Sequence, residues 1–273
     1  MRVAIQGERG SYHHIAAEKY FGDNIELICC ETFADVFDSL DEGAASMAVV
    51  AIENSTAGSV HATYDLLLRH DFYITGEIYE PIHHCLITLP GTKMRDIKRV
   101  FSHPMALPQC AGFLENNLPH AERIEFSDTA ASVLHIKQTN DTHGAAIASS
   151  LAATLENLPI LRSNIEDYQH NVTRFLVLSS NHKIPAGADK SSLVLETPHK
   201  SGALVSALSI LASADINLTK LESRPIPDKP WRYQFLIDVE AAGPTVQDSV
   251  EKLESLGCTV RILGEYKATN NPA

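Results

Sequence analysis

Short β-type runs alternate with helical patterns over the first 180 residues, and this alternation constrains the fold more than any other feature of the sequence. Residues 2–6 and 45–53 favour strands, whereas residues 12–21 and 60–68 favour helices. Such alternation implies a largely parallel sheet with helices on both faces. The block has enough elements for two small lobes, so we predict a two-lobed α/β domain with a cleft over residues 1–180.

The last third of the chain has a different rhythm. Residues 181–190 are polar and contain both Pro and Gly, which predicts a linker. Residues 231–239 alternate apolar and polar side chains, the clearest period-two pattern in the sequence. With the flanking helical stripes, the order over residues 191–273 is βαββαβ, which predicts a ferredoxin-like α/β sandwich.

Composition excludes several classes of function. The 273 residues include 22 basic and 34 acidic side chains, a formal charge of −12, which argues against a nucleic-acid partner. The longest apolar runs fall far short of the roughly 20 residues of a membrane span, and the N-terminus lacks a signal-peptide pattern. Five cysteines without a C-x-x-C pair predict a cytoplasmic protein with buried, inert thiols.

Two polar segments follow predicted strands. Asn54-Ser55-Thr56 comes after a buried strand, at the edge where α/β folds bind ligands, although helix capping is the alternative. Ser102 precedes a predicted helix through residues 104–118, as its N-cap with Pro104 in the first turn. Gln109 would then lie about two turns into this helix, away from the apolar stripe.

Three other features leave their role open. The glycines in residues 7–12 suit either an anion-binding turn or a plain tight turn. In an extended segment 171–175, Thr173 and Phe175 face one side and Arg174 the other, as in any strand. The paired histidines at 13–14 and 83–84 do not share a face, so we expect no metal site.

Taken in order, these segments resemble prephenate dehydratase of the monofunctional type with a C-terminal ACT regulatory domain. The Thr173-Arg174-Phe175 triplet together with the later Glu-Ser-Arg-Pro at 222–225 is the most specific part of the resemblance. Glu8, Ser11, His13 and Met105 depart from the usual family residues. The matching pieces extend over nearly the whole chain: 7–12, 52–58, 102–110, 128–131, 171–175, 202–204 and 217–225.

The resemblance implies a periplasmic-binding-protein-like catalytic domain that converts prephenate to phenylpyruvate, CO2 and water without cofactor or metal. It assigns catalytic roles to Thr173, which assists the leaving hydroxide, and to the polar contacts Ser102, Gln109 and Asn54. Further substrate-binding candidates are Gly10, Ser11, Tyr12, Ser55, Arg174 and Phe175, with the Gly7–Gly10 amides and Ser11 as donors to a carboxylate.

By the same resemblance the C-terminal domain binds L-phenylalanine between paired subunits, and the enzyme is a homotetramer, a dimer of dimers. The residues carried over for this effector are Gly202, Ala203, Leu204, Asn217, Glu222, Ser223 and Arg224. Three alternatives stay open: an amino-acid binding protein, an arogenate dehydratase of the same chemistry, and a purely regulatory protein. The sequence does not separate prephenate from arogenate.

Overall fold

The computed structural model describes residues 1–269, and internal contacts divide this part of the chain into two compact units. The first comprises residues 1–66 and 78–175, and the second comprises residues 67–77 and 176–269. The chain therefore enters the second unit before the predicted linker. Residues 270–273, the end of the predicted C-terminal domain, lie outside the described residues.

Strands and helices follow one another along the chain. The strands are β1 (Arg2–Gln6), β2 (Glu26–Cys30), β3 (Met47–Asn54), β4 (Gly58–Ser59), β5 (Tyr73–Pro81), β6 (Cys85–Thr88), β7 (Arg99–Ser102), β8 (Glu122–Glu125), β9 (Gly144–Ala148), β10 (Ile160–Arg162), β11 (Val172–Ser179), β12 (Lys190–Glu196), β13 (Leu218–Pro225), β14 (Tyr233–Val239) and β15 (Thr259–Tyr266). The helices are α1 (Tyr12–Phe21), α2 (Phe33–Asp41), α3 (His61–Arg69), α4 (Ala106–Gln109), α5 (Ala111–Asn117), α6 (Thr129–Gln138), α7 (Ser150–Glu156), α8 (Ala203–Ser213) and α9 (Pro244–Ser255).

The first sheet has the strand order β2-β1-β3-β11-β5, with β4 paired to β3. Strands β1, β2 and β3 are parallel, as predicted, and Val3 pairs with both Leu27 and Met47. Helix α1 begins where predicted because the Ser11 side chain caps it by accepting the His14 amide at 3.3 Å. Strand β3 ends at Asn54, so this sheet delivers that side chain to its edge.

The second sheet has the order β10-β6-β9-β7-β8 and is mixed, because β6 is antiparallel to both β9 and β10. Its central strand β9 is buried on both faces. Ala146 packs on the side of Val133 in α6, and Ala145 packs on the opposite side with Leu114 in α5. The alternation of side chains along one strand therefore builds two cores.

The predicted helix over residues 104–118 is wrong in one respect: it is two short helices, α4 and α5. Ser102 is the last residue of β7, and the N-cap position of α4 is Met105, without a side-chain capping bond. Cys110 leaves helical geometry (φ −115°, ψ 19°), directly after Pro108 and Gln109. Gln109 is consequently the last residue of a single turn rather than a position two turns into a long helix.

The second unit contains the predicted order β12-α8-β13-β14-α9-β15, with neighbouring strands antiparallel in the order β13-β14-β12-β15. Its core joins the inner face of the sheet to α8 and α9 through residues such as Leu195, Leu211 and Leu253. A Cβ at Gly264 in β15 would collide with the carbonyl oxygen of Ile74, so the two backbones approach each other closely there. This close approach explains why residues 67–77 belong to the second unit.

The structure tests two further expectations, that the chain has no membrane span and that its cysteines are buried. In residues 1–269 no helix is both long enough and apolar enough to cross a membrane. All five cysteines are free, and four are buried, but the prediction of burial is wrong for Cys29, which is exposed. Cys29 lies in β2, the edge strand of the first sheet, where one face is open to solvent.

Candidate active site

The turn after β3 fixes the orientation of the Asn54 side-chain amide. Its Oδ1 accepts the backbone amides of Thr56 at 3.0 Å and Ala57 at 2.8 Å, and the Thr56 hydroxyl at 2.7 Å. Backbone N–H groups donate only, so the atom that receives them must be the oxygen. The Asn54 Nδ2 group therefore faces the other way, toward β11.

Asn54 reaches β11 and holds the Thr173 hydroxyl. Its Nδ2 donates to Asn171 Oδ1 at 2.7 Å and to Thr173 Oγ1 at 2.9 Å. Thr173 is 8% exposed. Because the Thr173 oxygen accepts from Asn54, its own hydrogen is not used in this contact, and no acceptor takes it within residues 1–269. The hydroxyl is therefore positioned by one hydrogen bond and free to donate another.

Gln109 closes a ring of four side chains, which we call the amide ring and define as Asn54, Asn171, Gln109 and Thr56. Asn171 Nδ2 donates to Gln109 Oε1 at 3.0 Å, and Gln109 Nε2 donates to Thr56 Oγ1 at 3.3 Å. The Thr56 hydroxyl returns to Asn54, so each member donates to the next. The ring joins the ends of β3 and β11 in the first sheet to α4, which follows β7 of the second sheet.

His84 attaches to the amide ring from outside. Its Nε2 lies 2.9 Å from Gln109 Oε1, and its backbone amide donates to Glu166 Oε2 at 2.9 Å. The residue is 2% exposed, and its edge meets the Tyr12 ring at a centroid distance of 5.8 Å. Burial lowers the pKa of His84 below its ordinary value, although the Gln109 hydrogen bond opposes this shift.

The structure therefore brings together three of the four predicted catalytic side chains, Thr173, Asn54 and Gln109. Ser102 is fully buried, and its hydroxyl donates to the Ile147 carbonyl at 2.7 Å across the second sheet. That bond uses the Ser102 hydrogen, so toward a ligand the oxygen could act only as an acceptor.

The predicted substrate contacts near the N-terminus are engaged within the protein. The Gly10 amide donates to His14 Nδ1 at 2.9 Å, and the Gly10 carbonyl accepts from Ser149 Oγ at 2.5 Å. The Ser11 oxygen caps α1, and the Tyr12 hydroxyl donates to the His83 carbonyl at 2.6 Å. The Gly10 amide is therefore committed to a protein partner, whereas within residues 1–269 the Ser11 oxygen accepts in its contact and its hydrogen remains available, so Ser11 stays a candidate donor to a carboxylate.

The remaining predicted contacts in the first unit are Ser55, Phe175 and Arg174, all in or beside β11 or the turn after β3. Ser55 accepts the Val172 amide and donates to the His170 carbonyl, both at 2.9 Å, and so ties the turn after β3 to β11. Phe175 is 1% exposed and packs edge-on against His13 at a centroid distance of 5.0 Å. Arg174 is 6% exposed and projects to the opposite side of β11 from its neighbours in the strand.

The predicted effector residues occupy three parts of the second unit. Gly202 is the N-cap of α8, Ala203 is buried and Leu204 packs against the core. Asn217 precedes β13 and donates to Glu240 Oε2 at 2.7 Å. Within β13, Glu222 and Arg224 share one half-buried face, whereas Ser223 lies on the other, exposed face. Ser223 and Arg224 therefore point in opposite directions, so both do not face one ligand on the same side of this strand.

Sequence reasoning missed three members of this site: Asn171, Thr56 and His84. Asn171 and Thr56 stood in the right segments, and their polar side chains beside strand ends were an available signal. His84 gave no signal, because a histidine next to a strand is usual and its contact with Gln109 joins residues 25 positions apart.

Comparison with known proteins agrees with this architecture. The family model for prephenate dehydratase matches residues 3–183. Arogenate dehydratase 4, chloroplastic, from Arabidopsis thaliana is 40% identical over all of this chain and 69% of its own length. A prephenate dehydratase from Arthrobacter aurescens, solved with L-Phe, is 31% identical with a TM-score of 0.90 and covers 98% of this chain and 90% of that one. A structure described as GqqA, a novel type of quorum quenching acylases, is 32% identical with a TM-score of 0.87, covering 98% of each chain.

Proposed function

We propose, since the chain belongs to the prephenate dehydratase family of hydro-lyases, that it converts prephenate to phenylpyruvate, CO2 and water. The observation that carries this proposal is the Thr173 hydroxyl, which Asn54 holds at 2.9 Å while its hydrogen stays free to donate. A relative named arogenate dehydratase makes arogenate the alternative substrate, in which an amine replaces the side-chain carbonyl.

In the reaction, the bond between the ring and its carboxylate breaks, and the released electron pair makes the ring aromatic as the C–O bond to the hydroxyl breaks. The departing hydroxide becomes water by taking up one proton, which the surrounding water supplies. A threonine hydroxyl is a weak acid, so Thr173 assists by donating a hydrogen bond to this oxygen. The Asn54 contact strengthens that donation, because a hydroxyl that accepts one hydrogen bond donates another more strongly.

The charge of the amide ring suits a decarboxylation. All four of its members are neutral side chains. A cation at this place would bind the ring carboxylate tightly in the ground state and raise the barrier to its loss. Neutral donors and acceptors orient the substrate without that penalty.

Acyl transfer, suggested by the acylase among the structural relatives, has weaker support. A threonine nucleophile needs a base that takes its proton. Within residues 1–269 the Thr173 oxygen instead receives a hydrogen from Asn54, and no base contacts it. This arrangement favours a hydrogen-bond donor over a nucleophile.

The test is turnover of prephenate and of arogenate, each followed by the ultraviolet absorbance of the aromatic product. Thr173→Val, which replaces the hydroxyl by a methyl group, is expected to lower kcat at least about a hundredfold, the lower range for a positioned proton donor. Thr173→Ser keeps the hydroxyl and is expected to retain most of the activity.

Thr154→Val is the matched control, because Thr154 is exposed on α7 and, among residues 1–269, its hydroxyl bonds only to the Ser150 carbonyl of its own helix. Near-normal turnover by Thr173→Val would remove Thr173 from the mechanism. Chelator treatment is expected to leave the activity unchanged, since the proposed reaction uses neither metal nor cofactor.

For the second unit, we propose an ACT domain that binds L-phenylalanine and lowers activity by feedback. The βαββαβ order and the relative solved with L-Phe support this assignment. Inhibition requires that phenylalanine bind one conformation more tightly than another. The effector contacts that we propose are Gly202, Ala203, Leu204, Asn217 and Glu222, together with whichever of Ser223 and Arg224 faces the effector, in a cytoplasmic homotetramer arranged as a dimer of dimers.

Ser223→Ala and Arg224→Ala test this regulation separately, which matters because the two side chains lie on opposite faces of β13. The variant that lines the effector site is expected to lose phenylalanine inhibition while keeping the basal rate. Sedimentation with and without phenylalanine measures the oligomer. Unchanged inhibition in both variants would exclude this part of β13 from the effector site.

A further inference from the structure

The direction of the amide ring determines the protonation of His84. The backbone amides of Thr56 and Ala57 fix Asn54 Oδ1, so Asn54 Nδ2 donates to Asn171 Oδ1. The Asn171 Nδ2 group must then be the one that meets Gln109, at 3.0 Å, and the Gln109 atom there must be an acceptor. The orientation of each amide follows from the one before it.

His84 contacts that same Gln109 oxygen. Its Nε2 lies 2.9 Å from Gln109 Oε1, and two acceptors at this distance would repel, so Nε2 carries the proton. A neutral imidazole has one N–H, which leaves Nδ1 as a bare lone pair. That agrees with a second observation: His84 Nδ1 is buried and lacks any hydrogen-bond partner among residues 1–269. A buried acceptor without a partner is costly, so the contact with Gln109 must outweigh this cost.

We propose that His84 is a positioning residue: its Nε2–H holds Gln109 Oε1 as the acceptor of Asn171 Nδ2. This keeps Asn171 Oδ1 against Asn54 Nδ2 and so holds in place the Asn54 amide group that donates to Thr173. The proposal rests on the proposed function for its catalytic consequence, and on the hydrogen bonds alone for its structural part. If the Gln109 side-chain amide were rotated by 180°, its Nε2 group would face two other donors, His84 Nε2–H and Asn171 Nδ2. Asn171 would then have to turn as well, and the Asn54 amide would lose its acceptor there.

The neighbours of His84 hold it for this role. The Glu166 carboxylate accepts hydrogen bonds from the His84 backbone amide and from the His83 side chain. These two bonds fix the segment that precedes β6 beside the amide ring. The Tyr12 ring covers the edge of the imidazole at an interplanar angle of 86°. The imidazole therefore presents one nitrogen to Gln109 while the other remains enclosed.

The first test is nuclear magnetic resonance of the wild-type protein labelled with 15N at histidine, without substrate. We expect His84 as the neutral Nε2–H tautomer, with an unprotonated Nδ1. A neutral Nδ1–H tautomer would overturn the proposal. This measurement is independent of turnover: if the protein acts on neither prephenate nor arogenate, the proposed function fails while the ring direction is still tested.

The second test uses kinetics. His84→Met fills similar space without a donor and is expected to lower kcat about tenfold, the equivalent of one net hydrogen bond, with little change in KM. His84→Gln offers an amide N–H and is expected to recover most of the rate. His143→Met is the matched control, because the exposed His143 also makes one ring contact, to the Asp96 carbonyl at 2.9 Å.

A double-mutant cycle separates positioning from general loss of structure. If His84 acts through Thr173, His84→Met is expected to lower kcat by less than about twofold when Thr173 is already Val. An equal loss in both backgrounds would overturn the proposal, and so would a His84→Gln variant as slow as His84→Met. Should His84→Met fail to fold, the tautomer and the His84→Gln rate still decide the question.

Discussion

Replacing Asn54 by aspartate changes one atom and reverses the hydrogen-bond polarity at the centre of the site. One carboxylate oxygen still accepts the Thr56 and Ala57 amides, as Asn54 Oδ1 does at 3.0 and 2.8 Å. The other oxygen takes the place of Nδ2, 2.9 Å from Thr173 Oγ1 and 2.7 Å from Asn171 Oδ1. Asn54→Asp therefore turns the donor that faces Thr173 into an acceptor.

The size of the effect follows from where the Thr173 hydrogen goes. A carboxylate 2.9 Å away captures it in a charge-assisted hydrogen bond, so it no longer reaches the leaving hydroxide. Loss of a positioned donor is expected to lower kcat at least about a hundredfold. The unsatisfied Asn171 oxygen costs about 1–3 kcal/mol of unfolding free energy. A domain with an ordinary stability of about 5–15 kcal/mol tolerates that loss, so the variant is expected to fold.

The assay is kcat for the preferred substrate across pH, with unfolding by urea as the measure of folding. Asn116→Asp is the control, since Asn116 is exposed on α5 and, within the described part of the chain, its Nδ2 bonds only to the Gly112 carbonyl at 2.8 Å. As pH falls and the new carboxyl takes up a proton, the activity of Asn54→Asp relative to wild type is expected to rise. A folded Asn54→Asp protein with more than about a tenth of the wild-type kcat would refute the argument from ring polarity.

Three further perturbations test the framework around the site. Gly10→Ala places a Cβ 2.7 Å from the Ala152 backbone at φ +91°, so a loss of about 1–3 kcal/mol in urea unfolding is expected, and an unchanged midpoint would contradict the close approach. Burial lowers the pKa of His13 to about 3, so between pH 3 and 6.5 the unfolded chain binds more protons than the native state. The free energy of unfolding is therefore expected to rise with pH in this window, by up to about 5 kcal/mol. His13→Gln should flatten that slope in unfolding measured at several pH values. Glu77→Gln leaves the Lys190 ammonium buried without its carboxylate, and a cost of about 3–5 kcal/mol in unfolding is expected, with Lys190→Met in the same chain restoring part of it.

Local pattern predicted the elements of the first unit well. The predicted bounds of β1 and α1 agree with the structure because the short apolar run Val3-Ala4-Ile5 and the Ser11 cap are local signals. The helix over residues 104–118 failed for a reason that the same local pattern does not contain. Its apolar stripe continues through α4 and α5, but the backbone breaks at Cys110.

Contacts between residues that are far apart in the chain could not be predicted from the local sequence pattern. The assignment of residues 67–77 to the second unit depends on Ile74 meeting Gly264, and on the Glu77 carboxylate lying 2.8 Å from Lys190. The polar segments at the strand ends marked Asn54 and Thr173 as candidates, but not the hydrogen bond between them. Only the packing of two sheets determines which of these polar groups meet.

In buried histidines, the packed neighbours decide which ring nitrogen donates a hydrogen bond and which accepts one. His13 Nε2 accepts the Ala51 amide, and His14 Nδ1 accepts the Gly10 amide, so each ring holds its proton on the opposite nitrogen. At His84 the contact with Gln109 instead requires a donor at Nε2. An imidazole has no fixed polarity of its own, so the neighbours decide it in each case. The amide ring extends this logic from one side chain to four. The backbone amides of one turn fix the Asn54 side chain, and this determines which atom donates in the hydrogen bonds from Asn54 to Asn171 and from Asn171 to Gln109. It also makes Asn54 the donor to Thr173, so the Thr173 hydroxyl keeps its own hydrogen for the substrate.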